Sequence, residues 1–295
     1  GCELRDGFYT FRIFAPRAES VRLLLFERPE QTIGTEYFLG PGEDGVWELS
    51  LHTSLVEKYY AYRVDGPRGG NESFNSQITI GDPYARAVVT ANTWRHPARC
   101  VLPALLPSYD WEGDTFLTVD PADLVIYELH VRDMTAHQSS GVAPDIAGTY
   151  RGLVARGARG GIDHIRALGV NAVELMPCQQ FAGIEPPYQR HVGEGLCNHW
   201  NPYERNYWGY MTSFFFAPEP GYSEHAEKTP GEWNTAAPAH LNEFRDMIKA
   251  FHSAGIAVIM DVVYNHISQY DYQPLKYIDG RYYYRRNPDG TLLAE

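Results

Sequence analysis

The order of apolar runs in the second half of the chain constrains the fold more than any other feature. Residues 124–131, 170–176 and 256–263 are nearly continuous apolar runs, as expected of strands buried on both faces. Between these runs, apolar residues recur at helical spacing, and Gly169 and Gly255 end the two helical stretches. The helical positions are Ile162, Ile165 and Leu168, then Leu241, Phe244, Ile248 and Phe251. The sequence therefore predicts alternating strands and helices, and hence a parallel sheet.

The first 100 residues have a different pattern, which is typical of an all-β domain. Residues 8–14 and 21–26 are aromatic-rich or apolar runs, whereas residues 47–51 and 60–64 alternate between apolar and polar side chains. Short strands at this spacing predict a β-sandwich over residues 1–100.

A proline-rich stretch separates the two patterns. Prolines occur at Pro97, Pro103, Pro107 and Pro121, which favours an extended chain. We expect a linker over residues 101–120 and an α/β domain over residues 121–295.

Polar side chains follow the third apolar run at once. Asp261, Asn265 and His266 supply a carboxylate, an amide and an imidazole at the carboxyl end of a predicted parallel strand. Active sites of parallel α/β folds lie at that end of the strands. The segment between the second strand and the second helix, residues 178–238, is too long for an ordinary connection, and long loops of this kind carry function. It contains Tyr207, Trp208 and Tyr210.

Composition excludes some classes of function. The net charge of −12 argues against nucleic acid as a partner, because nucleic-acid binding needs clustered lysine and arginine. No apolar run is long enough for a membrane span, and the first residues lack the pattern of a signal peptide. The chain has 21 Tyr, 13 Phe and 6 Trp. Such rings can stack on sugars, although any single ring is more often part of a core.

The cysteines do not indicate a metal site. Cys178, Cys197 and His199 fit no zinc spacing, so free thiols or one disulfide are expected. We predict no metal and no cofactor from the residues themselves.

Short motifs along the chain resemble one enzyme family, and they occur in the same order as in that family. They are YELHVRD at 127–133, GTYRGL at 148–153, VELMP at 173–177, NYWGY at 206–210, DVVYNH at 261–266 and YYRRNPDG at 283–290. Together they resemble the α-amylase superfamily of (β/α)8 glycoside hydrolases, and most closely its debranching branch of pullulanases and isoamylases. YAYRVDGP at 60–67 and GDPYA at 81–85 are similar to the β-sandwich that precedes the barrel in those enzymes.

The resemblance implies a multidomain β plus α/β protein. An N-terminal carbohydrate-binding β-sandwich would be followed by the first part of a (β/α)8 TIM barrel, strands 1–3. The implied activity is hydrolysis of α-1,6 branch linkages in pullulan, glycogen or starch by a retaining mechanism. The implied partners are an α-glucan and the rest of the barrel, on the same or on a second polypeptide.

The resemblance also implies roles for individual residues. His266 would hydrogen-bond the sugar at the cleavage subsite, Tyr210 would stack on that sugar, and Asp261 would brace an arginine beside the nucleophile. Tyr207 and Trp208 would complete the substrate-binding loop. Asn265 occupies a position that binds calcium in many α-amylases, but debranching enzymes often lack that ion, so calcium is not predicted.

The resemblance places the nucleophile on strand 4 and the general acid on strand 5, so both are expected beyond Glu295. A complete barrel occupies about 250 residues, more than residues 121–295 supply. No stretch of residues 121–295 has the arginine two residues before an aspartate that marks strand 4. No catalytic residue is therefore assigned in this sequence.

Other interpretations stay open. The enzyme alternatives are a glucan-branching transferase or an α-amylase, and a different class is a non-catalytic glucan-binding protein. Without the resemblance, His266 could be an ordinary strand-end residue and Asp261 a turn cap. His130 and Arg132, on one face of a strand, could take part in structural ion pairing. The tyrosines at 282–284, close after Asp279 and Gly280, favour a hairpin.

Overall fold

The computed structural model describes residues 1–93, 95–181, 206–227, 229, 231–234, 238–267 and 272–293. The strands are β1 Cys2–Arg5, β2 Phe8–Phe14, β3 Ser20–Phe26, β4 Thr35–Phe38, β5 Gly40–Pro41, β6 Val46–His52, β7 Tyr59–Asp65, β8 Val88–Ala91, β9 Ala98–Val101, β10 Ile126–Leu129, β11 Ala172–Leu175, β12 Gln179–Phe181, β13 Thr212–Pro218, β14 Trp233–Asn234 and β15 Ala257–Met260. The α-helices are α1 Asp133–Ala136, α2 Tyr150–Leu153, α3 Ile162–Ala167, α4 Ala239–Ser253 and α5 Pro274–Tyr283. No described helix is both long and apolar enough to cross a membrane.

Two antiparallel sheets build the N-terminal part, as the alternating pattern predicts. One has the order β1-β2-β6-β5 and the other β14-β8-β9-β7-β3-β4. Their inward side chains form one hydrophobic core, in which Phe11 of the first sheet and Leu23 and Tyr62 of the second are fully buried. The two sheets therefore enclose a common core, which is the arrangement of a sandwich.

Segments distant in sequence complete this N-terminal core. Strand β14 pairs with β8 through Trp233↔Ala91 and Asn234↔Thr90. The ring of Phe214 on β13 is buried in the same core, as is the side chain of Ile278 on α5. The N-terminal core thus depends on residues more than a hundred positions later in the chain.

A three-stranded sheet of order β10-β11-β15 confirms the predicted parallel arrangement. Its register pairs Tyr127 with Val173 and Val173 with Val258. These side chains face a second hydrophobic core formed with α3 and α4, in which Ile165 and Phe251 are fully buried. The helices therefore cover one face of the sheet.

The burial of this sheet corrects one expectation from the sequence. The runs at 124–131 and 256–263 were expected to be buried on both faces, yet Val125 is 54% exposed, Ile126 46% and Met260 40%. Only the central strand β11 is largely buried. The reason is that β10 and β15 are the two edges of the sheet in the described part of the chain. Leu168, predicted to face the core, is also exposed, because α3 ends one residue earlier.

Two helical pieces of α5, which meet at an extended Asp279 with a φ of −166°, replace the hairpin expected near residues 279–284. The Gln273 side-chain oxygen accepts a hydrogen bond from the Leu275 backbone N–H at 2.7 Å, and Pro274 occupies the first turn, so the helix has an effective N-terminal cap. The helix docks on the sandwich, where Ile278 is buried and the Tyr283 hydroxyl donates to the Phe14 carbonyl at 3.1 Å. The chain therefore still breaks its helix at Asp279, where the sequence signals a turn, and tertiary packing replaces only the hairpin.

Candidate functional site

The candidate site lies at the carboxyl edge of the parallel sheet. Asp261 directly follows β15, and its backbone N–H donates to the Leu175 carbonyl at 3.0 Å, which extends the ladder by one bond. His130 directly follows β10. The sheet thus brings polar residues from two different strands to one edge.

Three of the predicted site residues form one hydrogen-bonded network. The Tyr210 hydroxyl donates to Asp261 Oδ2 at 2.8 Å. His266 Nε2 lies 2.7 Å from the Tyr210 carbonyl oxygen, which can only accept, so Nε2 carries a proton. Asn265 is exposed and takes no part in this network within the described part of the chain.

The electrostatics keep Tyr210 a neutral hydrogen-bond donor. Burial, the hydrogen bond to Asp261 and the negative charges of Asp261, Glu128 and Glu174 raise the pKa of Tyr210 to about 12. The phenol therefore holds its proton at neutral pH and keeps the ring fixed against the carboxylate.

Glu128 and Glu174 are site residues that the sequence interpretation missed. They are partners in the parallel register of β10 and β11, and both charges act on Tyr210. Their neighbours in sequence face the helix-covered core, so alternation along each strand places both carboxylates on the opposite face. Among the described residues, neither glutamate has a cationic partner within ion-pair distance. The strict alternation of side chains along β10 and β11 is the sequence signal from which both glutamates could have been assigned to the site.

Tyr207 and Trp208 lie on the other side of the same loop. The Tyr207 ring stacks on His130, with centroids 5.1 Å apart and planes 20° apart, and its hydroxyl donates to Asp133. Trp208 meets the His130 ring edge-on at 5.8 Å. The loop therefore places Tyr207 and Trp208 against His130 and Tyr210 against Asp261.

The arginine beside His130 does not form the ion pair that one interpretation suggested. The Arg132 guanidinium lies over the rings of Tyr207 and Tyr222, 5.5 Å from each centroid. Within the described part of the chain no carboxylate lies within ion-pair distance of it. Arg132 therefore contributes cation–π contacts to the wall of the site.

Gly209 joins the two halves of the loop. Its φ of +80° is left-handed, and a Cβ there would lie 2.8 Å from the Pro177 carbonyl oxygen. Only glycine meets both conditions without a shift of the backbone.

We expect Gly209→Ala to lower the free energy of unfolding by about 1–3 kcal/mol, from the left-handed φ and the carbonyl overlap together. Gly169→Ala is the matched control, because Gly169 has a φ of +76° and a Cβ added there would have no neighbour within 4 Å. The control should cost about 1 kcal/mol. Urea unfolding of both variants measures the difference, and equal losses would show that the Pro177 contact does not constrain the loop.

One group of potential metal ligands is present away from these residues. The ligand atoms of Glu224, His225 and Glu243 lie within 4.8 Å of one another. However, both carboxylate oxygens of Glu224 accept from Arg151 Nη1, and Glu243 accepts from the Ser223 hydroxyl and the Glu224 N–H. These contacts already satisfy the two carboxylates.

The cysteines also give no metal site in the described residues. Cys178 is fully buried, and burial raises the pKa of its thiol to about 12, so it is a neutral core side chain. Cys197 and His199 lie outside the described residues.

Comparisons with known proteins agree along the chain. Residues 1–85 match the family model "Carbohydrate-binding module 48 (Isoamylase N-terminal domain)". The chain is 32% identical to chloroplastic isoamylase 1 of Arabidopsis thaliana, over 99% of this chain and 37% of that protein. It is also 32% identical to the glycogen debranching enzyme of Yersinia enterocolitica, over 88% of this chain and 38% of that protein.

Solved structures that are similar to this chain are also those of debranching enzymes. The pullulanase of Paenibacillus barengoltzii, in complex with maltohexaose and α-cyclodextrin, superposes with a TM-score of 0.73 at 30% identity, over 98% of this chain and 41% of the pullulanase. The chain spans less than half the length of the relatives that it matches.

The chain therefore corresponds to the N-terminal part of the debranching glycoside hydrolases of the α-amylase superfamily. Within that class, its relatives are isoamylases, glycogen debranching enzymes and pullulanases, and residues 1–85 are its carbohydrate-binding module 48.

Proposed function

We propose that these residues are part of an α-glucan debranching hydrolase, which cleaves α-1,6 linkages in pullulan, glycogen or starch with retention of configuration. The observation that carries the proposal is the Tyr210–Asp261–His266 network, which lies at the carboxyl edge of a parallel sheet. Similarity to debranching enzymes along nearly the whole chain supports the same assignment. An α-glucan is the proposed substrate.

We propose that β10, β11 and β15 are the first three strands of a (β/α)8 barrel. On this proposal residues 1–100 are the binding module, 101–120 the linker and 121–295 the barrel part. Both edges of the sheet are open in the described part of the chain, which supports this proposal, because edge strands with exposed apolar side chains need to be covered. The remaining strands, on the same or on a second polypeptide, would supply that cover.

In this assignment Tyr210 stacks on the sugar at the cleavage subsite, and His266 hydrogen-bonds the same sugar. Asp261 holds the Tyr210 hydroxyl with Oδ2, and its second oxygen would receive an arginine from the next strand. Tyr207, Trp208 and Asn265 would line the surrounding subsite. Retaining hydrolysis also needs a nucleophile and a general acid, with carboxyl groups about 5–5.5 Å apart, which further strands would contribute.

We expect Tyr210→Ala to lower kcat/KM of the complete protein on pullulan. The loss of stacking and packing should cost about 1–3 kcal/mol of transition-state stabilisation. Tyr210→Phe is the matched variant, because it keeps the ring and removes only the hydrogen bond to Asp261. It should cost about 1 kcal/mol. Steady-state kinetics of both variants separate the two contributions, and wild-type values for Tyr210→Ala would remove this residue from the subsite.

We also expect Glu128 and Glu174 to gain a cationic partner from the remaining strands, because two carboxylates in register repel each other. Glu174→Gln should then destabilise the complete protein by about 1–2 kcal/mol, because its partner loses a counter-charge. Glu48→Gln is the control, since Glu48 forms an exposed ion pair with Arg12 whose loss should cost at most about 1 kcal/mol. Urea unfolding that gives equal values for both variants would contradict a partner at Glu174.

The main competing function is a non-catalytic glucan-binding protein, which the match of residues 1–85 to a binding module favours. The coding sequence downstream of residue 295 distinguishes the two. A strand with an arginine two residues before an aspartate, followed by a strand with a glutamate, supports the hydrolase. A stop codon there supports the binding protein.

A further inference from the structure

The imidazole of His130 is buried beside the candidate site, and the proposed roles do not use it. Its side chain lies between three aromatic residues of two different segments. Only 4% of the residue is exposed. The Tyr207 ring covers one face, Trp208 meets its edge, and the Tyr222 ring lies at 88° to it with centroids 5.7 Å apart. A charge on this enclosed ring would therefore disturb its contacts with Tyr207 and Trp208 of the loop 206–210.

The hydrogen bonds of His130 define a neutral tautomer. The Asp133 backbone N–H donates to Nδ1 at 3.2 Å, so Nδ1 has no proton. Nε2 therefore carries the proton of the neutral ring and lies 3.0 Å from the Tyr222 hydroxyl oxygen, which accepts it. A second proton could bind only at Nδ1, where it would face a backbone donor.

The surroundings also disfavour the charged imidazolium. Burial lowers the pKa of His130 and the Arg132 charge lowers it further, while the Asp133 charge and a hydrogen bond to the Tyr207 backbone act in the opposite direction. The other titratable groups that face the ring are the phenols of Tyr207 and Tyr222, and burial raises the pKa of each, so both are neutral. At neutral pH the ring is therefore uncharged.

Ring contacts and four consecutive residues of the loop join this imidazole to Tyr210. His130 holds Tyr207 and Trp208, the left-handed Gly209 follows, and Tyr210 then reaches Asp261. The contacts of His130 thus fix one end of the loop 206–210, and those of Asp261 and His266 fix the other. A shift at the His130 end would move the Tyr210 ring.

We propose that neutral His130 is a positioning residue that sets the Tyr210 ring for substrate, and that its protonation releases the loop 206–210 and lowers activity in acid. This inference rests on the proposed function for its kinetic consequence. At His130 the folded state binds fewer protons than the unfolded state, in which histidine has a pKa of about 6.5. The stabilisation from neutral His130 is thus fully present at a pH above the pKa of the unfolded state. It is lost as the pH falls through the lower pKa that His130 has in the folded protein.

The kinetic test compares the complete wild-type protein with His130→Gln between pH 5 and 8. Glutamine can still donate to Tyr222 but does not titrate in this range. At pH 7, kcat/KM of the variant should be about 3–10-fold below wild type, from lost ring stacking. The ratio of the wild-type kcat/KM to that of His130→Gln should fall towards one as the pH drops. The reason is that protonated His130 in the wild type no longer positions Tyr210.

A histidine on the surface of the same segment provides the control. His137 is exposed, so His137→Gln should follow the wild-type pH profile. A wild-type to His130→Gln ratio that stays constant from pH 5 to 8 would overturn the proposal.

A second readout does not depend on catalysis. Trp208 emission, obtained by subtracting the spectrum of Trp208→Phe, should change with pH with a midpoint below about 6.5. The same midpoint should appear in the NMR titration of His130, and the emission change should vanish in His130→Gln. An emission change that persists in His130→Gln would contradict the positioning role. An inactive protein that shows the His130-dependent change would refute the proposed hydrolase alone.

Discussion

The purified 295-residue polypeptide should release no reducing ends from pullulan, glycogen or starch. Retaining hydrolysis needs a nucleophile and a general acid on opposite sides of the glycosidic bond. The family resemblance places both on strands beyond the three parallel strands described, and Asp261 is already held by Tyr210. Loss of such groups lowers the rate by many orders of magnitude, so no product should accumulate.

The control for this experiment is the same polypeptide with His266→Ala. A trace of contaminating amylase would release reducing ends equally from both preparations. Release by the unmodified polypeptide that disappears on His266→Ala would show catalysis by these residues, and would contradict the assignment of the nucleophile and acid to further strands.

In the complete protein, His266→Ala should lower kcat/KM on pullulan by about 2–4 kcal/mol, or roughly 30- to 1000-fold. The imidazole would hydrogen-bond the sugar through the ring nitrogen that the Tyr210 carbonyl leaves free, and that hydrogen bond would strengthen as charge develops in the transition state. In the described structure Nε2 is held by the Tyr210 carbonyl, so the alanine variant also frees one end of the loop.

His225→Ala is the matched control, because His225 is an exposed histidine outside the network. It should leave kcat/KM unchanged. Michaelis–Menten kinetics and a thermal unfolding curve of each variant separate lost catalysis from lost folding. Wild-type kinetics of His266→Ala would remove His266 from the subsite.

The sequence predicted the elements whose signals are local. The parallel strands follow from apolar runs, and α4 follows from apolar residues at helical spacing that end at Gly255. The network of Tyr210, Asp261 and His266 joins residues that the family motifs had singled out. Their assignment to substrate binding stays a prediction.

Features set by distant contacts could not be predicted. Strand β14 has only two residues, and it forms because β8 offers an edge more than a hundred positions earlier. The two helical pieces of α5 replace the expected hairpin because Ile278 enters the sandwich core. The enclosure of His130 depends on Tyr207 and Tyr222, which follow it by about 80 to 90 residues. The local spacing of apolar residues does not indicate these contacts.

The proposed function requires that the complete protein cleaves α-1,6 linkages. The most direct measurement is proton NMR of pullulan during incubation with that protein, because α-1,6 and α-1,4 anomeric protons have separate signals. We expect the α-1,6 signal to fall while the α-1,4 signal stays constant. Loss of the α-1,4 signal, transfer that creates new α-1,6 linkages, or binding without any change in linkage would contradict it.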